Sequence, residues 1–420
     1  MKIFKFGGAS VSTVERIKNV ADIIKKHEGE QLLIIVSAMG KTTNALEKVV
    51  DAFFQDKKDE ALHLFEAIKE QHLEMYQQLL ATTGSSLSEF FTEIEWLLHD
   101  KPVRTYDYYY DQIVCIGELL SSSIVGNYLT AIGIANSWVD VRDIIRTDNN
   151  FRDAMIDWEV SAQKTEHIIK PLFTTYNIVL SQGFIGATDE NESTTLGREG
   201  SDYTAAVFAS LLDAENLTIW KDVQGVMSAD PKLYKEAQWI KELNYKEVIE
   251  MAYYGAQVIH PKTIKPLQNK NIPLYVRSFL TPDEEGTCIH KMAIGGLPPI
   301  IVYKANQALV QLASREYSFI GEGLTIEAYR IFESLKFKPN LTQMAAISLS
   351  CVVDAHPEKL EAFASKASET FDVSVYKDLL LLTVRHYTKE VVESLAAGDT
   401  IILQQQTPET IQMLLEAKRQ

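Results

Sequence analysis

Residues 194–206 read TTLGREGSDYTAA, and the reading of this run decides the fold. A short apolar stretch, 177–185, precedes it, and a small-residue helical pattern, 201–212, follows. Gly197 and Gly200 permit backbone conformations closed to other residues and let a ligand approach closely. Arg198 offers a planar fork suited to a carboxylate or a phosphate. Ser201 and Asp202 stand where the helix begins, so their plain role is N-capping. Two glycines, an arginine and a helix start together point to a site for a small anionic molecule; a structured turn is the bland alternative.

The same alternation of short apolar runs and longer helical patterns extends outward from this run. Strands are expected over 2–6, 31–37, 135–139, 178–184, 217–221 and 273–278. Over 14–26 the apolar positions 14, 17, 20, 21 and 24 form a helical stripe. This predicts an α/β fold with a mainly parallel sheet. Residues 43–130 are almost wholly helix-patterned, with 60–80 the longest element, and read as an insertion between strands. A break follows at 286–299, where Gly295, Gly296, Pro298 and Pro299 crowd together. The boundary is placed near residue 297, giving domains 1–297 and 298–420. Beyond it the pattern reads strand 300–313, helix 325–335, strand 346–354 and a helix from 358. Strands at 373–376 and 379–385, a brief helix at 388–396, a strand at 400–405 and a helix from Pro408 complete the chain.

The 420 residues suffice for two or three domains, and 46% apolar with 23% charged residues is ordinary globular usage. Lys and Arg number 41 against 57 Asp and Glu, a net charge of −16 that argues against nucleic-acid binding. Small anionic ligands remain open, because a local basic cluster outweighs the overall field. Cys115, Cys288 and Cys351 form no CxxC, so neither a disulfide framework nor a zinc site is indicated. The start, MKIFKFGG, lacks the apolar core of a signal peptide, and no apolar run of membrane-spanning length is read. A soluble, cytoplasmic protein is expected.

Lys5, Gly7, Gly8 and Ser10 follow the first strand and precede a helix, a turn that offers N–H groups and a helix start to a phosphate. A lone Gly-Gly is more often a tight turn; the GREGSD run tips the balance toward function. Gly40-Lys41-Thr42 is no P-loop, since that motif requires a glycine five residues earlier and Ile35 stands there. The polar loop after Ser37, with Thr42 and Thr43, still lies at a strand's C-terminal end, where open α/β sheets bind ligands. Glu118 sits among apolar and small residues; periodicity alone turns it to solvent, and the alternative is that it receives an ammonium group. Asp222, Gly225, Asp230, Pro231 and Lys232 form a loop after the strand 217–221, read either as turn residues or as a nucleotide loop. His260, before Pro261, reads as structural.

Taken in order, KFGGAS at 5–10, GREGSD at 197–202, DVQGVMSADPK at 222–232 and YGAQVIHPKTI at 254–264 resemble the aspartate kinases over roughly residues 1–290. The resemblance implies the amino-acid kinase fold, a three-layer α/β sandwich that binds ATP without a P-loop. It implies transfer of the ATP γ-phosphoryl group to the side-chain carboxylate of L-aspartate, the first step toward lysine, threonine and methionine. By motif, Lys5 is the lysine that stabilises the transferring phosphoryl group, and Asp202 the carboxylate that orients it. Arg198 holds the substrate α-carboxylate and Glu118 its ammonium, with Ser37, Thr43, Thr195 and Ser201 completing the pocket. Gly7 and Gly8, then Lys221, Asp222, Met227, Lys232 and Gln257, are the implied ATP contacts, with Mg²⁺ held mainly by the phosphates and water. The chain departs from the family at Ala9, usually Thr; at Gln257, commonly Lys; and at Lys221, often Thr.

The tail resembles the paired ACT modules of these kinases, so a C-terminal α+β ACT-like region and a homodimer through it are implied. The second module reads as shortened. Asn340, Ala345 and Ala346 stand where lysine-regulated members carry Asp, Ser and Glu, which removes counter-charge for a cationic effector. Two other readings are kept: a kinase of another amino acid such as glutamate or acetylglutamate, and a ligand-sensing protein with an inactive kinase domain.

Overall fold

The structure, a computed structural model, describes residues 1–82, 84–315 and 319–416. They fall into two compact units. The first comprises Met1–Val226, Trp239–Ile249 and Val258–Ile294. The second comprises Met227–Gln238, Glu250–Gln257 and the chain from Gly295 onward.

An eight-stranded, mainly parallel sheet organises the first unit. Its spatial order is Glu242–Asn244, Thr287–His290, Leu274–Ser278, Asn216–Lys221, Lys2–Phe6, Leu32–Val36, Ile178–Gln182 and Asn136–Trp138. The strand Leu32–Val36 is buried along its whole length, as a strand covered on both faces must be. Only Leu274–Ser278 against Thr287–His290 runs antiparallel. From Lys2–Phe6 the chain builds one flank of the sheet, then returns to open the other with Asn216–Lys221 on its opposite edge. Loops leaving these neighbouring strands diverge in opposite directions, which opens a crevice at their carboxyl ends.

Helices Thr42–Phe54, Lys58–Leu80, Ser88–His99, Tyr106–Val114 and Ile116–Ala131 fill the chain between the second and third strands. Tyr106–Ala131 together is the one stretch among the described residues long and apolar enough to span a membrane. It was not foreseen as such from sequence. With 83% of its most apolar window buried inside the protein, it is a core element.

The second unit carries a six-stranded antiparallel sheet in the order Pro339–Met344, Ser348–Asp354, Ile300–Ser314, Phe371–Arg385, Thr410–Glu416 and Thr400–Gln406. Its two long strands are shared by two helix-covered halves. Helices Glu322–Ser334 and Pro357–Ala367 cover one half, where Phe332 stacks on Phe363 at 4.2 Å. Helix Lys389–Leu395 covers the other, over Leu382, Val384 and Met413. This is the ACT-like α+β region. The strands expected at 373–376 and 379–385 are one strand, bent at Asp378, whose φ is 59°. The helix expected from Pro408 is instead the strand Thr410–Glu416, paired on both sides. Its burial runs unbroken through six residues, and a run apolar on both faces has no period to separate strand from helix.

Candidate active site

Three loops at the carboxyl ends of the central strands and the start of the helix Gly200–Leu211 surround a cavity of about 590 Å³ in the first unit. Lys5, at the end of the first strand, is 9% exposed, and its Nζ lies 2.6 Å from Asp202 Oδ1. Asp202 is in the first turn of the helix and buried. Burial pushes its carboxyl up, but the ammoniums of Lys5 and Lys221 outweigh that and hold it below the usual carboxylate range. Lys221 Nζ sits 4.0 Å from Asp202 Oδ2 and donates to the Val258 carbonyl at 2.6 Å. The family-atypical lysine therefore adds a second cation beside Asp202.

Neither Ser201 nor Asp202 caps the helix as expected. Glu199 occupies the N-cap position at φ 54°, with no side-chain cap. Its own carboxylate accepts the His260 N–H at 2.9 Å, while His260 Nδ1 caps the helix Pro261–Lys270 by accepting the Lys262 N–H. The structural reading of His260 therefore fits. Gly197, at φ 74°, makes the turn that delivers Arg198 to the cavity. Gly8 is required by close approach: a Cβ there would lie 2.6 Å from the Ala38 carbonyl. The first two loops thus pack backbone to backbone, with Gly40 N–H donating to Gly8 O at 3.0 Å.

Glu118 overturns the solvent-facing expectation. It is 3% exposed and lines the cavity. Its Oε1 accepts a long bond from Ala38 N–H at 3.4 Å, and Oε2 has no hydrogen-bond partner among the described residues. Burial pushes its carboxyl up to about 8. Arg198 is exposed on the cavity wall, with no hydrogen bond or ion pair among the described residues.

Of the residues expected from sequence, Lys5, Gly7, Gly8, Ser37, Thr43, Glu118, Thr195, Arg198, Ser201, Asp202, Lys221 and Asp222 all line this one cavity. Met227, Lys232 and Gln257 belong to the second unit, and their implied nucleotide contact rests on the motifs alone. Sequence reading missed Tyr110, Arg152, Trp220 and Phe279 on the wall, and Asp111 behind it. The dense run YDYYYD at 106–111 was the available signal, but a helical aromatic stripe ordinarily reads as core.

Residues 1–278, two thirds of the chain, match the sequence model of the amino acid kinase family. The chain belongs to the amino acid kinase family. Among its relatives, aspartokinase 1, chloroplastic, of Arabidopsis thaliana is 32% identical over 378 residues, 85% of this chain and 64% of the relative. A bifunctional aspartokinase/homoserine dehydrogenase of Zea mays is 33% identical over 298 residues. The chain spans less than two thirds of the first of these relatives and about a third (32%) of the second. Lysine-sensitive aspartokinase 3 of Escherichia coli K12 is 29% identical, with 94% of this chain and 85% of the relative covered. The structure of E. coli aspartokinase III in complex with aspartate and ADP superposes with a TM-score of 0.84 at 25% identity, covering 99% of this chain and 96% of that one. This amino acid kinase thus shares its fold, over both units, with an enzyme solved with an amino acid and a nucleotide.

Proposed function

We propose that the protein is an aspartate kinase, transferring the γ-phosphoryl group of ATP to the side-chain carboxylate of L-aspartate to give 4-phospho-L-aspartate. One observation carries this reading. A Lys5–Asp202 ion pair shares its cavity with an Arg198 guanidinium and a Glu118 oxygen that have no partner among the described residues. Such a set fits a zwitterion bearing a second carboxylate: Arg198 takes the α-carboxylate, Glu118 the ammonium, and the side chain is directed toward Lys5. Ser37, Thr43, Thr195 and Ser201 supply hydrogen bonds around it.

Phosphoryl transfer needs in-line positioning and charge neutralisation rather than a covalent nucleophile. The acceptor carboxylate is ionised at neutral pH, so no strong base is required. Lys5 stabilises charge on the transferring group, and Asp202 keeps that ammonium aimed. A Cβ on Gly7 would lie 3.4 Å from Lys5 Nζ, so its absence leaves room for phosphate oxygens there. Gly7, Gly8, Lys221 and Asp222 serve the nucleotide. No group of three or more His, Cys, Asp or Glu among the described residues could hold a metal ion. In this reading Mg²⁺ would be carried mainly by the ATP phosphates and water, where it would neutralise charge on the triphosphate.

A cytoplasmic homodimer associating through the ACT-like region, feeding lysine, threonine and methionine formation, completes the proposal. Lysine inhibition is weak or absent in this reading. Asn340, at a position implicated in effector binding, spends its amide on Lys304, Gln307 and Asp354. The test is ATP turnover with aspartate or glutamate as acceptor, trapping the acyl phosphate with hydroxylamine. Aspartate-dependent turnover is expected, little changed by added lysine. Turnover with glutamate alone would overturn the acceptor assignment, and inhibition at micromolar lysine would overturn the regulatory part.

A further inference from the structure

Behind the cavity wall, Asp111 on the helix Tyr106–Val114 is wholly buried yet does not itself line the cavity. Its two oxygens receive three donors. Oδ1 accepts the Thr195 hydroxyl at 2.7 Å; Oδ2 accepts the Thr195 N–H at 2.8 Å and the Arg152 N–H at 3.0 Å. Thr195 and Arg152 both line the cavity.

We infer that Asp111 is a positioning residue for the amino-acid acceptor, holding Thr195 so that its hydroxyl oxygen serves the ligand only as a hydrogen-bond acceptor. The hydroxyl has one proton, and Asp111 consumes it. What remains on the Thr195 oxygen is lone-pair density, which suits a donor such as the acceptor's ammonium group. Glu118, on the same cavity, supplies the matching negative charge.

A carboxylate here has acceptors alone, which is what commits the Thr195 proton. An asparagine oxygen could still accept the two N–H groups, but its NH₂ would donate to the Thr195 hydroxyl and turn that proton toward the cavity. The third bond adds a second consequence. Arg152 takes φ 71°, a left-handed conformation uncommon for a side chain of its size, and its N–H is held there by Asp111. Its guanidinium lies 4.4 Å from the centre of the Tyr110 ring and pairs with Asp107 at 3.2 Å. Tyr110 donates in turn to Glu47 at 2.8 Å, on the helix that carries Thr43. One buried carboxylate thus fixes two parts of the wall. Burial pushes that carboxyl up to about 6, and the bonds from Thr195 and Arg152 work against the rise.

The inference rests on the aspartate kinase reading, and steady-state kinetics with varied aspartate and varied ATP separate the two. Asp111→Asn is expected to raise the aspartate KM about tenfold or more, with a much smaller change in kcat and in the ATP KM. Thr195→Val gives a similar aspartate KM, and Thr195→Ser, which keeps the hydroxyl, restores it. The double variant Asp111→Asn/Thr195→Val is no worse than the single ones, because both remove the same interaction. An unchanged aspartate KM in Asp111→Asn overturns the inference; so do single effects that multiply in the double variant. Should Asp111→Asn fail to fold, the Thr195→Val and Thr195→Ser pair decides, and a wild-type KM in Thr195→Val overturns it. A wild-type protein without aspartate-dependent turnover overturns the parent reading as well; an active wild type with an indifferent Asp111→Asn overturns this inference alone.

Discussion

Each unit sets a lysine ammonium against an aspartate carboxylate, and the two pairs have opposite surroundings. In the first unit Lys5 and Asp202 meet at 2.6 Å, while Arg198 and the Glu118 Oε2 atom in the same cavity have no partner among the described residues. In the second unit Lys304 and Asp354 meet at 3.0 Å within a closed circuit. Asn340 Oδ1 accepts from Lys304 at 2.8 Å, and Asn340 Nδ2 donates to Gln307 at 2.7 Å and to Asp354 at 3.0 Å. Gln307 closes the circuit with a 2.9 Å bond to Asp354. The carboxyls register the difference. At Asp354 burial raises the value, but bonds from Gln307, Lys304 and Asn340 win and hold it below the usual carboxylate range. At Glu118 burial wins. A buried carboxylate oxygen without a partner costs stability, so a fold that retains one beside an exposed, unpaired guanidinium in the same cavity keeps it for something that binds there. A saturated network, by contrast, serves the fold.

The largest expected effect tests that division directly. Lys5→Ala should lower kcat by about 10³-fold, the scale seen when a group facing developing charge is removed. Aspartate binding measured by calorimetry should change far less. Lys304→Ala, assayed beside it, should leave kcat within about twofold. A comparable loss from both would erase the distinction between an open and a closed pair.

Glu118 gives the next largest effect, through pH. With the cavity empty its carboxyl sits at about 8, so at pH 7 most molecules carry a proton that a bound ammonium must displace. The profile of kcat/KM for aspartate, which reports the free enzyme, should rise up to about pH 8 and then level. Glu118→Gln should flatten that limb and raise the aspartate KM by about 10–100-fold. Stability carries the opposite sign. The folded value lies above the ordinary carboxylate value near 4.3, so the folded protein holds a proton that the unfolded chain has lost. Stability relative to Glu118→Gln should therefore fall as pH rises from about 4 to about 8, read by thermal unfolding of the two proteins. A difference independent of pH would mean that Glu118 is already ionised in the empty cavity.

These residues also show where sequence was informative. Lys5, Arg198 and Asp202 were legible because glycine turns flank them and short strands or helix starts fix their position; local chemistry alone brings each to the sheet's carboxyl edge. Periodicity misread Glu118, because a helix buried all round has no polar face from which to judge a lone carboxylate, whereas the resemblance by motif had put it in the pocket. Asp111 was invisible for another reason. Its partners, Thr195 and Arg152, are distant in the chain, and nothing near position 111 announces them. In the second unit the long strands were found, but the terminal helix was a misassignment. Whether that apolar segment coils or extends was decided by the free edges of Phe371–Arg385 and Thr400–Gln406.

The smallest effect belongs to the closed circuit. Asp354→Ala removes one charge and strands two amides, of which Gln307 is buried. Asp354 and Lys304 are themselves partly exposed, at 41% and 29% of their side-chain surface, so water compensates for much of the lost ion pair. The expected cost is about 1–2 kcal/mol in denaturant unfolding, most of it from the stranded Gln307 and Asn340 groups. Aspartate KM and kcat should stay near wild type. Asp354→Asn should recover part of the stability, since one amide oxygen can still accept from Gln307 and Asn340, while Lys304 loses its counter-charge. A large kinetic effect with no loss of stability would show that this circuit communicates with catalysis, and the contrast between the two lysine–aspartate pairs would have to be redrawn as one between two functional sites.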